Sequence, residues 1–271
     1  MTPSLSQVPP STREHRPKSR VTLSKVPEVT ALFWVVKLLT TGAGETSSDF
    51  LVSRLNPIVG VGIGFVLFAV AMTLQYRVTR YVPVVYWFAV VMVSVFGTMC
   101  ADVLHVGLGV PYLMSAPAFA VILAVVFALW RRSEGTLSIH SITTRRRETF
   151  YWLSVLATFA LGTATGDLTA TTFHLGYLAS GLVFVVVILV PAVGHAAKLF
   201  GPVLAFWFAY VVTRPIGASF ADWMGVSHAR SGLGWGTGPV SLVLLVVIAA
   251  LVGVLSIRSR GGAGSRVPRR G

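Results

Sequence analysis

The sequence predicts an all-α membrane protein of about eight transmembrane helices, set out as four parallel-repeat helical hairpins. Three observations carry this: a charge-poor apolar composition, one motif repeated four times at constant spacing, and basic residues confined almost entirely to alternate connections.

Of the 271 residues, 54% are hydrophobic and 11% charged, where soluble domains carry about 25% charged residues. The mean hydropathy is +0.76. A water-soluble globular protein is excluded. The net charge of +13 invites a nucleic-acid reading, but the arginines flank apolar runs such as 242–255 and build no basic face interleaved with aromatics, so no nucleic-acid partner is expected. The single cysteine, Cys100, excludes an internal disulfide and a thiolate metal site.

The repeat is the most specific signal. An aromatic-Trp pair is followed ten residues after the Trp by Gly and fifteen after it by Asp: Phe33-Trp34 with Gly44 and Asp49; Tyr86-Trp87 with Gly97 and Asp102; Tyr151-Trp152 with Gly162 and Asp167; Phe206-Trp207 with Gly217 and Asp222. The chain has 7 Trp and 4 Asp, so every aspartate closes one copy. Each motif lies on an apolar stretch, and a second stretch follows at 57–76, 113–130, 178–197 and 239–257. A span needs roughly 20 residues, which gives two spans per repeat. The first is the most polar, interrupted by Lys37, Thr40, Thr41 and Glu45.

The remaining segments complete the organisation. Residues 1–27 read as a basic, Pro- and Ser-rich disordered tail, 28–130 as a first membrane half, and 131–148 as a basic linker. Residues 149–257 read as a second half and 258–271 as a basic tail. Two spans per repeat return every repeat junction to one side, and 18 of the 22 Lys and Arg residues fall in the tails and those junctions. The positive-inside rule then places both termini in the cytoplasm of a cell with the protein in its plasma (inner) membrane. Repeats of even span number share one orientation and are related by an axis along the membrane normal.

The strings KVPEVT from Lys25, FWVVKLLTTGAGE ending at Glu45, SVFGT from Ser94, LSIHSITTRRRETFYW from Leu137, ALGTATGD ending at Asp167 and AFWFAYVVTRPIGAS from Ala205 resemble a family of uncharacterised multi-pass bacterial membrane proteins built from a repeat of unknown function. The resemblance covers roughly 24–258 and implies a polytopic membrane protein of four repeats. It implies no activity, which has to come from the residues.

Fifteen residues of α-helix turn through 1500°, which leaves Trp and Asp within about 60° of each other and roughly 22 Å apart. The motif therefore marks both ends of one helix face. The aromatic pair fits an interfacial belt, and the Gly permits close helix approach. An aspartate at a helix C-terminal end opposes the macrodipole, so four such placements imply a partner. The four aspartates either converge on one cavity, where they bind a cation, share protons or pair with bases, or stand in separate solvated loops.

The repeats differ in their in-membrane polar residues, which are functional candidates. Lys37, Thr41, Glu45 and Ser48 share one face of the first motif helix, within about 80° on a helical wheel. The fourth carries Thr213-Arg214-Pro215, where the proline is expected to kink or break the helix. Five acids and two bases on one cavity leave a net of about three negatives, which favours a cation. The alternative is a purely structural pairing of Glu45 or an aspartate with Lys37 or Arg214. His105, His174 and His228 follow their aspartates at irregular spacings and form a weaker candidate for a divalent metal site.

No GxSxG, P-loop or HExxH pattern is present, so neither an enzyme nor a cofactor is expected. The sequence thus points to a transporter or channel-like carrier of a small, cationic solute. Its ion-binding residues would be Glu45, Asp49, Asp102, Asp167, Asp222, Lys37, Thr41 and Arg214. The bilayer and the solute are its partners. The rival is a non-transporting scaffold or sensor whose basic segments meet anionic lipid or a cytoplasmic protein.

Overall fold

The computed structural model describes residues 24–264. The elements are α1 (Ala31–Arg54), α2 (Pro57–Arg77), α3 (Pro83–Asp102), α4 (Tyr112–Glu134), α5 (Arg145–Asp167), α6 (Tyr177–Val187), α7 (Leu189–Ala196), α8 (Pro202–Gly225) and α9 (Thr237–Gly264). The boundaries follow local chemistry. Thr30, Asn56 and Thr144 cap α1, α2 and α5 by accepting from the amides of Phe33, Ile58 and Arg147, which satisfies otherwise orphaned donors. Proline opens α2, α3 and α8, where no amide is needed. Helices α6 and α7 form one rod interrupted at Ile188, because Pro191 has no N–H to offer the carbonyl of Val187.

Six of the rods are long and apolar enough to cross a membrane: α2, α3, α4, α6 with α7, α8 and α9. The protein is an all-α membrane protein. The other two, α1 and α5, carry more polar residues, and both lie inside the bundle. The motif helices close a ring in the order α1, α3, α5, α8 and back to α1. The remaining rods pack outside it, and each leans chiefly on the motif helix of the following repeat: α2 on α3, α4 on α5, α6 on α8, and α9 on α1. Apolar residues of the outer rods, including Val66, Val121, Leu242 and Val246, are exposed, as a lipid-facing surface requires. The polar residues are inside.

Pro215 does not break α8, which runs unbroken to Gly225. Its neighbours hold it on two sides: Gly162 of α5 lies against Arg214 and Pro215, and Thr41 of α1 lies against Gly217. Repeats two and three do depart from α-helix, but only beyond their aspartates. One π-helical turn follows each, at Val103–Gly107 and Leu168–Thr172.

One end of the bundle gathers the N-terminal segment, the α2–α3 connection and the central linker. The amide of Lys25 donates to Ile142 O at 3.1 Å, and that of Tyr81 to Ser24 O at 3.2 Å. Lys25, read from sequence as a solvated tail base, is buried and ion-paired to Glu148 at 2.6 Å. Gln75 Nε2 donates to the second oxygen of that carboxylate at 3.0 Å. The linker is likewise docked, with Ile139 and Ile142 buried and Leu137 O accepting from Trp207 Nε1 at 2.9 Å. The rest of the segment read as the N-terminal tail, 1–23, and residues 265–271 of the C-terminal one lie outside the described residues.

Candidate functional site: a polar axis beneath a four-aspartate cavity

The motif builds the axis of the ring level by level. At the linker end, the first aromatic of each repeat packs on the Trp of the next. Ring centroids are 5.7 Å apart for Phe33 and Trp87, 5.7 Å for Tyr86 and Trp152, 6.1 Å for Tyr151 and Trp207, and 5.7 Å for Phe206 and Trp34. These pairs were expected at the lipid interface. Instead Phe33, Tyr86, Trp87, Tyr151, Trp152 and Trp207 are buried between the motif helices, while Trp34 and Phe206 are half-buried at the junction of α1 and α8; the tilted contacts between aromatics add to that burial.

The motif glycines obey the same cyclic rule. Each receives the side chain three residues before the glycine of the following repeat: Gly44 meets Ser94, Gly97 meets Phe159, Gly162 meets Arg214, and Gly217 meets Thr41. At all four a Cβ would collide, so the glycines set the helix spacing, as expected from sequence.

One residue further on, three repeats present an oxygen to the axis: Glu45, Thr98 and Thr163. The fourth presents Ala218. Arg214 enters this ring from α8. Its Nη2 lies 2.5 Å from Glu45 Oε2 and 2.7 Å from Thr163 Oγ1, and it also donates to Thr98 Oγ1. Nη1 donates to Thr41 O at 3.4 Å, and the guanidinium lies over the Phe159 ring at 5.3 Å. Arg214 is wholly buried, yet its Nε has no partner. Lys37 lies one level closer to the linker end, also fully buried, between the faces of Phe159 at 4.6 Å and Tyr210 at 4.3 Å. Among the described residues its ammonium has no hydrogen-bond acceptor, and cation–π attraction is the interaction it retains there.

Past Glu45, at the end away from the linker, a cavity of about 1080 Å³ opens. Asp49, Asp102, Asp167 and Asp222 all line it, with Glu45 on its wall. Of the residues read as one binding site, these five acids are therefore brought together. Lys37, Thr41 and Arg214 are not among the lining residues and lie deeper along the axis. The local geometry follows from the motif: each aspartate lies four residues past the axial position of Glu45, Thr98, Thr163 and Ala218, which returns the chain to within about 40° of that face one turn further on. The oxygen Oδ1 of Asp222 is buried without a partner.

The histidines do not converge. His105 lines the cavity, where its ring stacks on Tyr112 at 3.6 Å and its Nδ1 pairs with Val110 O at 2.9 Å. His228 Nδ1 pairs with Gly232 O at 2.9 Å, which ties a turn. His174 is exposed at a positive φ of 56°. Among the described residues, no three His, Cys, Asp or Glu side chains gather closely enough to hold a metal ion.

Other cavity residues escaped notice as site members. Arg54 and Arg230 line it, and Arg230 Nη2 donates to Tyr177 Oη at 2.5 Å. They are the two bases that the charge count leaves in the connections opposite the linker. Tyr112 and Tyr177 also line it, and both stand ten residues after their repeat's aspartate, a spacing that could have flagged them.

The geometry defines an all-α membrane protein with a cyclic, four-repeat inner ring around a polar axis. The chain belongs to the family described as Repeat of Unknown Function (DUF347), whose pattern matches at residues 32–81, 85–136, 150–197 and 205–260. Each match takes in one motif helix and the rod that follows it. No curated protein and no solved structure matches the chain.

Proposed function

We propose that this protein is a carrier or channel-like transporter of a small cationic solute, spanning the plasma membrane eight times with both termini in the cytoplasm. The observation that supports this is the convergence of all four motif aspartates on one cavity. Scattered, outward-splayed aspartates would have favoured the scaffold reading. The charge balance is also cationic in preference. Arg214 neutralises Glu45, which leaves four aspartates against Arg54 and Arg230, an excess of two negative charges when the aspartates are ionised. Clefts lined by one sign of charge concentrate the opposite ion. In this role the aspartates receive the solute and Glu45 hands it to the axis. No catalytic step is part of it.

The test is flux in proteoliposomes, with protons and a panel of mono- and divalent cations, for the wild type and an Asp167→Asn/Asp222→Asn variant checked for folding by size exclusion and circular dichroism. Transport that the folded variant loses supports the assignment and names the ion. Absence of flux for every cation overturns it.

A further inference from the structure

Glu45, Thr98 and Thr163 occupy the same repeat position, one residue after the motif glycine, and turn three oxygens toward one point on the axis. What stands at that point is the guanidinium of the fourth repeat. Its partners are one carboxylate oxygen, two hydroxyls, one backbone carbonyl and an aromatic face. That set suits a delocalised organic cation, which wants planar acceptors and a π surface, better than a compact metal ion, which wants several oxygens at short range. Glu45 also lines the cavity above, so a solute there reaches the same carboxylate from the other side. Arg214 is imperfectly matched to its own burial, since Nε finds no acceptor among the described residues, and Lys37 behind it is a second buried cation without a hydrogen-bond acceptor there. Two cations against one acid leave an uncompensated positive charge on a buried axis, which is costly to hold.

We propose that the Glu45–Thr98–Thr163 ring is the binding site for a guanidinium-type solute, held shut by Arg214 as a tethered competitor that the incoming solute displaces. This deepens the transport assignment above and rests on it for its physiological meaning, but the site itself is testable alone.

The experiment is thermal unfolding of purified Arg214→Ala in millimolar guanidinium chloride, with sodium chloride at equal ionic strength. Binding to the emptied ring raises the melting temperature saturably, by about 3 °C or more at ten times Kd. Sodium does nothing comparable, the wild type responds only at higher concentration, and adding Glu45→Gln removes the effect. Recovery of the variant only when guanidinium is present during purification supports the same conclusion. If Arg214→Ala cannot be recovered at all, Arg214→Gln carries the measurement. A guanidinium response no larger than that of the wild type, or one that survives Glu45→Gln, overturns the proposal. The two assignments fail separately: wild-type cation flux without guanidinium binding to the variant refutes the ring site, whereas binding without wild-type flux refutes transport.

Discussion

Arg214 and Glu45 come from the last and first repeats, 169 positions apart, and meet at 2.5 Å in the middle of the ring with both side chains buried. The contact closes the ring where the chain itself does not, between α8 and α1. Removing one member of a buried pair strands the other charge, at about 3–5 kcal/mol. Glu45→Leu is therefore expected to lower the melting temperature by about 10 °C. The Glu45→Leu/Arg214→Met double variant should lose less than half as much. Equal losses in the two would show that the charge pairing is not what the ring depends on.

The motif glycines give a second prediction. Gly162→Ala and Gly217→Ala drive a Cβ into Arg214 and Thr41, and overpacking of this kind removes about 1–3 kcal/mol. Gly62 of α2 and Gly253 of α9 face open space, so Ala there is expected to be neutral or to stabilise by up to about 1 kcal/mol. Chemical unfolding of the four variants in one detergent compares them directly.

The aromatic ring is testable by coupling. Double-mutant cycles on Phe33 with Trp87 and on Phe206 with Trp34 should each return about 0.5–1.5 kcal/mol. The second pair is the informative one, because it joins repeat four to repeat one. A coupling present in the first cycle and absent from the second would mean an open arc.

At the linker end, Lys25→Ala leaves Glu148 buried with Gln75 as its side-chain partner among the described residues, and a loss of about 3 kcal/mol is expected. Arg80→Ala, on an exposed base of the same end, should stay within about 0.5 kcal/mol. Similar losses for both would mean that net charge at this end, not the specific pair, is what matters.

Much of this was legible because the motif is periodic. The offset of fifteen places Trp and Asp within about 60° of each other, and the face they share proves to be the ring face. The outer rods were legible as apolar runs, and the starts of α2, α4 and α6 fall at or next to the predicted positions. What stayed hidden is whatever depends on the neighbouring repeat. No single helix says that Gly162 will house Arg214, or that Thr98 and Thr163, ordinary polar residues in their own helices, share a point with Glu45. Lys37 and Arg214 were grouped with the acids because all are ionisable, whereas their positions seven and three residues before the glycine put them two turns and one turn deeper. The break that Pro215 allows does not occur, because α1 and α5 pack against α8 on both sides of it. The contact of each first aromatic with the Trp of the next repeat was hidden for the same reason.

The most direct test of the central claim, that four aspartates from four repeats face one cavity opening at the end away from the linker, is sided cysteine labelling. In a Cys100→Ser background, Asp49, Asp102, Asp167 and Asp222 are replaced one at a time by Cys, and exposed His140 of the linker is replaced likewise as a reference. A membrane-impermeant maleimide is then applied to right-side-out and inside-out vesicles. The account predicts that all four aspartate positions react from one face of the membrane and the His140 position from the other. Aspartate positions divided between the two faces would contradict it.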